Sequence, residues 1–478
     1  MFDAVAVNSA AARQLYKKRE PIYPKLVHGP FRALKWVMLV ATLGVYYLLP
    51  WVRWLRGEAE PDQAVLVDFA GGRFYFFSIE LWPNELYFVT GLLILAALAL
   101  FLATALFGRV WCGYACPQTV WTDLFIAAER LIEGDRNARI KLAKAPWTAQ
   151  KLARKTVKHA VWLLIAAATG GAWILYFHDA PSLAEQFFRG AAPGSAYLFA
   201  GLLTFTTYML AGSMREQVCT YMCPWPRIQA ALTDEETLEV TYRADRGEPR
   251  GAHKKGGSWT GRGDCVECKA CVAACPMGID IRDGAQLECI NCALCIDACN
   301  DVMTRIGRPK GLIAYDTDKN LARRSAGEAP RVRLLRPRTI LYATVLAAVG
   351  AVMLVALTSR TTMEASVLKD RAPPFVKLSG GSIRNAYTLK IANKAGAERE
   401  FLVTLESEMS LTLAAVGTQT ENGALRLRVA GDDVRVMRLF VTGNANQPLA
   451  GPLNFVVADT AGVEAKSVST TFMTERAR

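Results

Sequence analysis

Five stretches of this chain stay apolar for long enough to cross a lipid bilayer: Trp36–Val52, Leu86–Phe107, Ala160–Phe177, Ala196–Met214 and Thr339–Ser359. The second runs for 22 residues without a charged side chain, which buried helices of soluble proteins rarely do. The pattern predicts a membrane α-helical protein with about five spans. Beyond Arg360 the period changes from helical to alternating. Tyr387, Leu389 and Ile391 alternate with Thr388, Lys390 and Ala392, and similar runs follow at Phe401–Leu405, Leu425–Val429 and Val434–Val441. Asn393–Gly396 and Gly443–Asn446 supply turn residues, so this region is expected to be an all-β antiparallel sandwich. Three smaller patterns carry weaker expectations. Trp121, Leu124, Phe125, Ala128 and Ile132 recur at helical spacing around Asp123, Glu129 and Arg130, predicting an amphipathic helix along the inner membrane interface. The aromatic run Arg73–Phe77 fits an outer interfacial belt, and a short helix is expected near Ala11–Arg19.

Charge turns these spans into a topology. The net charge is +13, but the basic residues do not gather into a nucleic-acid surface. Seven Lys/Arg precede Trp36, two lie between Arg56 and Glu85, ten between Gly108 and Lys158, and one between His178 and Ser195. This alternation puts the amino terminus and the segment between the fourth and fifth spans in the cytoplasm, and the carboxyl-terminal domain on the outer side. Polar residues fill the start of the chain, so the first span is expected to act as an uncleaved anchor. The basic residues of 134–158 are expected to face anionic headgroups, and the arginines of 304–338 to anchor the fifth span.

Cysteine spacing adds chemistry. Eight of the twelve cysteines form Cys265-x2-Cys268-x2-Cys271-x3-Cys275-Pro276 and Cys289-x2-Cys292-x2-Cys295-x3-Cys299. This is the bacterial ferredoxin spacing, in which the fourth cysteine reaches the neighbouring [4Fe–4S] cluster. On that rule Cys265, Cys268, Cys271 and Cys299 hold one cluster, and Cys289, Cys292, Cys295 and Cys275 hold the other. Asn300 stands where a proline often follows the second motif, which touches no ligand. Zinc ribbons space their pairs more widely, and a disulfide framework needs an oxidising compartment. From Gly263 to Met303 the segment carries a net charge of −5. That acidity steers a basic partner, docks on the protein's own basic loops, or is simply solvated.

The second and fourth spans each end in an arginine followed by Cys-x3-Cys-Pro: Arg109 with Cys112 and Cys116, and Arg215 with Cys219 and Cys223. Thiols four apart on a helix share a face, so the duplicated pairs are candidate copper or redox thiols, the alternative being helix-end packing. Met209, Met214 and Met222 lie near them but fit core packing better. His159 and His178 flank the third span, nineteen residues or about 28 Å apart along a helix, so they do not sandwich one haem iron. His28 and His253 stand alone.

Trp111–Trp121, Cys219–Trp225, the ferredoxin motifs and the order of spans together resemble the CcoG/FixG/RdxA family of cytochrome c oxidase accessory proteins over nearly the whole chain. The resemblance implies a membrane polyferredoxin with an Ig-like carboxyl-terminal domain that reduces Cu(II) to Cu(I) during haem–copper oxidase assembly. It thus implies a cupric reductase-like oxidoreductase of the bacterial inner membrane, with the carboxyl-terminal domain in the periplasm. Its expected partners are membrane lipid, oxidase assembly factors or copper chaperones and transporters, and a cytoplasmic or quinol electron donor. Two other readings stay open: an electron conduit to another membrane oxidoreductase of the NapH or NosR kind, and an assembly scaffold with structural clusters. The expected division is a basic tail (1–35), four spans with the repeats (36–239), a cytoplasmic ferredoxin domain with basic connector (240–338), a fifth span (339–359) and the sandwich (360–478).

Overall fold

The computed structural model describes residues 20–56, 60–254, 256–417, 420, 423–444, 450–462 and 464–474. The expected helix at Ala11–Arg19 and the end of the turn at Gly443–Asn446 lie outside them. Two compact units divide the chain, one reaching to Met353 and the other beginning at Leu354, with Glu60 in the second.

In the first unit, α1 (Pro30–Leu48), α2 (Tyr87–Phe107), α3 (Val110–Tyr114), α4 (Pro117–Glu133), α5 (Arg136–Lys144), α6 (Ala149–Ile174), α7 (Ala180–Arg189) and α8 (Gly194–Thr207) follow in order. Two π-helical turns, Tyr208–Met214 and Val218–Met222, lead to α9 (Trp225–Leu232) and the single turn α10 (Ala244–Gly247). Helices long and apolar enough to cross a membrane are five among the described residues: Pro30–Trp51, Pro83–Phe107, Ala149–Ile174, Gly194–Met214 and Pro337–Thr358. The third starts earlier than its apolar run because Thr148 caps it, accepting the Lys151 N–H at 3.2 Å. Its first turns therefore absorb part of the basic stretch.

Two local patterns take a definite form. The Arg73–Phe77 run lies in a small antiparallel sheet of strands β1 (Val65–Asp68), β2 (Arg73–Phe76) and β3 (Ile79–Leu81), burying Tyr75 while Phe76 stays exposed. Helix α4 forms as expected, and its acidic residues are buried in ion pairs. Asp123 accepts two bonds from Arg32 at 2.8 and 2.9 Å. Glu129 meets Arg215 at 2.9 Å, Arg139 at 3.1 Å and Lys158 at 3.6 Å, and Glu133 meets Lys155 and Lys158 at 2.9 and 3.2 Å. Burial opposes the charge on Glu129, yet Arg215, Arg139 and Lys158 hold its carboxyl below the usual range. Several basic residues expected at the headgroups are thus spent on this buried network.

The cysteine segment follows, closed at its base by a two-stranded ribbon: β4 (Glu239–Tyr242) pairs antiparallel with β5 (Ile313–Asp316). Between them lie α11 (Ala270–Ala274) and α12 (Leu294–Arg305), and after them α13 (Asp318–Ser325) and α14 (Pro337–Thr358). This segment packs on the helices. Asp297 of α12 accepts the N–H groups of Phe31 and Arg32 at 3.4 and 2.8 Å, capping α1 from outside that helix, where Pro30 has no N–H to give. Gly29 makes room for it, since a Cβ there would strike the carboxyl. Lys25 N–H bonds to Ala273 O at 2.8 Å. The segment's acidity is largely used internally: Asp264 pairs with Arg246 and Arg308, Asp280 with Arg282, and Asp301 with Arg305.

The second unit is the expected sandwich. Strands β6 (Met363–Lys369), β7 (Val376–Lys377), β8 (Ile383–Asn393), β9 (Arg399–Glu406), β10 (Leu411–Ala415), β11 (Leu425–Val429), β12 (Asp433–Gly443), β13 (Ala450–Asp459) and β14 (Ala465–Met473) form two sheets, ordered β10-β12-β8-β6 with β7 on β8, and β11-β9-β13-β14. Alternate residues of β8, from Ile383 to Ile391, point into a core shared with Phe401, Val403, Leu427, Leu439, Phe455 and Val457.

Replacing Glu129 by Ala leaves Arg139 and Arg215 buried without their anion. It is expected to cost about 3–5 kcal/mol in thermal or denaturant unfolding of the detergent-solubilised protein, whereas a change within experimental error would contradict the burial of this network.

Candidate metal centres

The two cysteine loops repeat at an offset of 24 residues, which pairs Cys265 with Cys289, Cys268 with Cys292, Cys271 with Cys295 and Cys275 with Cys299. The backbone repeats as well. Glu267 and Asn291 take φ of 53° and 52°, and Lys269 and Ala293 take 55° and 59°. A left-handed residue other than glycine costs roughly 1–2 kcal/mol, so four at matching positions mark a shape imposed by what each loop encloses. Successive turns of mixed handedness make concave loops suited to an anionic group.

Each loop lines a cavity. Cys265, Cys268, Cys271 and Cys299 face one beside Tyr242, Arg282 and Met303. Cys275, Cys289, Cys292 and Cys295 face the other beside Val240, Met277 and Ile281, and Cys271 touches both. All these cysteines are free. Burial pushes Cys275 up to about 11 and Cys289 and Cys299 to about 12, so these thiols ionise only when a metal replaces the proton. Four free thiols around each apolar cavity fit a [4Fe–4S] group.

The four repeat cysteines come from two helix ends. Cys112 lies in α3, but Cys116 is extended (φ −61°, ψ 128°), as is Cys223 (φ −78°, ψ 123°). The expectation of two thiols on one continuous helix face is therefore corrected. Each second cysteine precedes a proline, Pro117 or Pro224, whose ring disfavours helical geometry in the residue before it. Cys112, Cys116, Cys219 and Cys223 nonetheless lie within electrostatic reach of one another. Among the described residues, no three of their sulfurs fall within 4.8 Å of each other. Burial pushes both Cys112 and Cys219 up to about 12. Cys112 Sγ donates to Gln229 Oε1 at 3.2 Å, and Cys223 is exposed.

These thiols adjoin the second cysteine loop. Cys112 and Cys219 pack in one apolar cluster with Cys275, Cys289 and Cys292. A Cβ on Gly113 would lie 2.6 Å from Ile290 O and 3.1 Å from Cys292 Cα, so α3 rests directly on that loop's backbone. Tyr114 Oη donates to Cys292 O at 3.2 Å. Arg109, buried, donates to Cys289 O at 3.2 Å, to Pro226 O at 2.7 Å and to Leu287 O. Sequence reasoning noted Arg109 only as part of the repeat and missed Gln229 and Met277, which lines the second cysteine cavity and another beside Cys219. No spacing rule points to either. Met222 is exposed, His159 bonds Tyr208 at 2.8 Å, and His253 stacks on Trp259.

Comparison with known proteins agrees with this layout. Residues 214–318 match a 4Fe-4S dicluster domain, residues 89–133 a 4Fe-4S binding domain, and residues 353–475 the Ig-like fold at the carboxyl terminus of FixG. The nitrogen fixation protein FixG of Rhizobium meliloti is 50% identical over 470 residues, covering 92% of this chain and 90% of its own. The chain belongs to the FixG/RdxA family. Protein RdxA of Cereibacter sphaeroides is 51% identical over 445 residues, covering 92% of this chain and 93% of its own. A crystal structure of a FixG-related protein from Vibrio parahaemolyticus aligns with 24% of this chain and 100% of that one, at 16% identity and a TM-score of 0.22 too low to bear on the fold. Membership of the FixG/RdxA family, with its 4Fe-4S domains and apolar helices, makes this a membrane iron–sulfur protein with an electron-transfer role.

Gly113→Ala is expected to push α3 away from the Ile290–Cys292 backbone. Overpacking of this kind costs about 1–3 kcal/mol and should lower the melting temperature of the solubilised protein; an unchanged melting temperature would contradict the close approach.

Proposed function

We propose that this protein carries electrons through two iron–sulfur sites to the thiols Cys112, Cys116, Cys219 and Cys223, where Cu(II) is reduced to Cu(I) for delivery to a haem–copper oxidase. The observation that carries the reading is the packing of α3, with Cys112, against the second cysteine loop. Electron tunnelling slows steeply with distance, and the repeat thiols adjoin that loop rather than sitting at a remote helix end.

In this reading Cys265, Cys268, Cys271 and Cys299 hold one [4Fe–4S] group, and Cys275, Cys289, Cys292 and Cys295 hold the other. When bound, these groups supply one-electron carriers, which match the single electron that separates Cu(II) from Cu(I). The remaining work falls to the chain. Val240, Ile279, Ile281 and Ile290 keep water from the second cavity. Exposed Cys223 meets the incoming ion, and the softer thiolates favour Cu(I) over Cu(II). Cu(I) accepts two thiolates, so a quartet too open for three close sulfurs still suits a cargo that must leave again. A cytoplasmic donor or a quinol supplies the electron. By the distribution of basic residues the cysteine segment faces the cytoplasm and the Ig-like domain the periplasm.

Two measurements check this. Anaerobically purified protein is expected to hold about eight irons per chain, with low-temperature EPR of two interacting clusters after reduction. Cys→Ser at all four repeat positions should leave that iron in place and abolish Cu(II) reduction, followed with a Cu(I)-specific chelator. Unchanged reduction would remove the quartet from the mechanism.

A further inference from the structure

The two cysteine loops share their spacing and their left-handed positions at an offset of 24 residues, so the surroundings that differ between them stand out. Beside the first loop, Arg282 has its charge matched by Asp280, which it grips through two bonds of 2.9 and 2.6 Å; its buried Nη1 keeps no hydrogen-bond partner and faces the first cavity as half of a net-neutral pair. Beside the second loop, Arg109 has no such match. It is 6% exposed and donates only to the carbonyls of Leu287, Cys289 and Pro226. Among the described residues no carboxylate comes within ion-pair distance of it; its counterpart in the other repeat, Arg215, pairs with Glu129 at 2.9 Å. A guanidinium buried without an anion is costly unless an anionic group lies near, and the groups surrounding Arg109 are Cys112, Cys289, Cys219 and the carboxyl of Glu239.

A second difference falls at matching positions. Asn291 stands where the first loop has Glu267, both left-handed. Asn291 is 3% exposed, its Nδ2 has no hydrogen-bond partner, and its Oδ1 lies 3.5 Å from Cys289 Sγ. Once Cys289 is a thiolate, the sulfur no longer donates and the amide turns over to give Nδ2–H to it, which also satisfies the orphaned donor. Glu267, a carboxylate, has no such hydrogen to give.

We propose that Arg109 and Asn291 are positioning residues that raise the reduction potential of the second site above that of the first, so that electrons collect at the site touching the repeat thiols. Positive charge and hydrogen bonds to cluster sulfur both favour the reduced, more negative state. The order of transfer is then first site, second site, thiol quartet, with one electron leaving the first site for each one the second receives. This rests on both cysteine sets holding clusters as proposed above.

The test is potentiometric titration of the whole solubilised protein, followed by EPR with iron analysis, in the wild type and in Arg109→Gln, Arg109→Lys and Asn291→Gly. Glycine keeps the left-handed backbone at 291. The wild type should show two resolved potentials. Arg109→Gln and Asn291→Gly should each lower the upper one and leave the lower one in place, and Arg109→Lys should restore much of the loss. If Arg109→Gln fails to retain iron, Asn291→Gly carries the test. Unmoved potentials in iron-replete variants, or a shift of the lower potential, would overturn the proposal. A wild type lacking about eight irons would instead overturn the cluster reading beneath it.

Discussion

Everything in the first unit depends on how closely α3 approaches the second cysteine loop. Gly113 has no side chain between its own backbone and that of Ile290–Cys292, and Tyr114 and Arg109 add bonds on either side. A helix end that follows a membrane span is thereby fixed to a ferredoxin loop. Further ties act in the same direction. Asp297 caps α1, and Lys25 bonds to Ala273 O. The cysteine segment is thus bound into the helical bundle, not suspended from it by linkers.

Buried charge is the second constraint. Asp123, Glu129 and Glu133 are drawn into the bundle because cations from α1, α5, α6 and the turn at Arg215 meet them there. In low dielectric such pairs give little net stability but heavily penalise any arrangement that separates them. They therefore fix the relative placement of helices whose outer faces are merely apolar. Arg109 departs from this pairing beside the second cysteine loop, whereas Arg282 beside the first keeps Asp280.

Much of this was legible in the residues. Lipid demands long uncharged runs, so five spans were visible; a two-sheet core demands alternation, so the sandwich was visible; and cluster ligation demands short cysteine gaps. What stayed hidden depends on partners far apart in the chain. The partners of the α4 charges were not legible because Arg32, Arg139, Lys158 and Arg215 come from four other places. The β4–β5 ribbon joins residues on either side of the cysteine loops, so neither strand announced its partner. The extended shape of Cys116 and Cys223 was readable from Pro117 and Pro224, but helical spacing was allowed to outweigh it. No local signal marked Gln229 or Met277, whose importance is only their position.

The central claim is that the cluster loops and the repeat thiols form one conducting path to copper. Stopped-flow mixing of pre-reduced protein with Cu(II) tests it directly, following cluster absorbance and a Cu(I)-specific chelator in the same shot. One path predicts that the clusters reoxidise at the rate at which Cu(I) forms, one electron for each ion. Cu(I) formed while the clusters stay reduced, or clusters reoxidised without Cu(I), would contradict it.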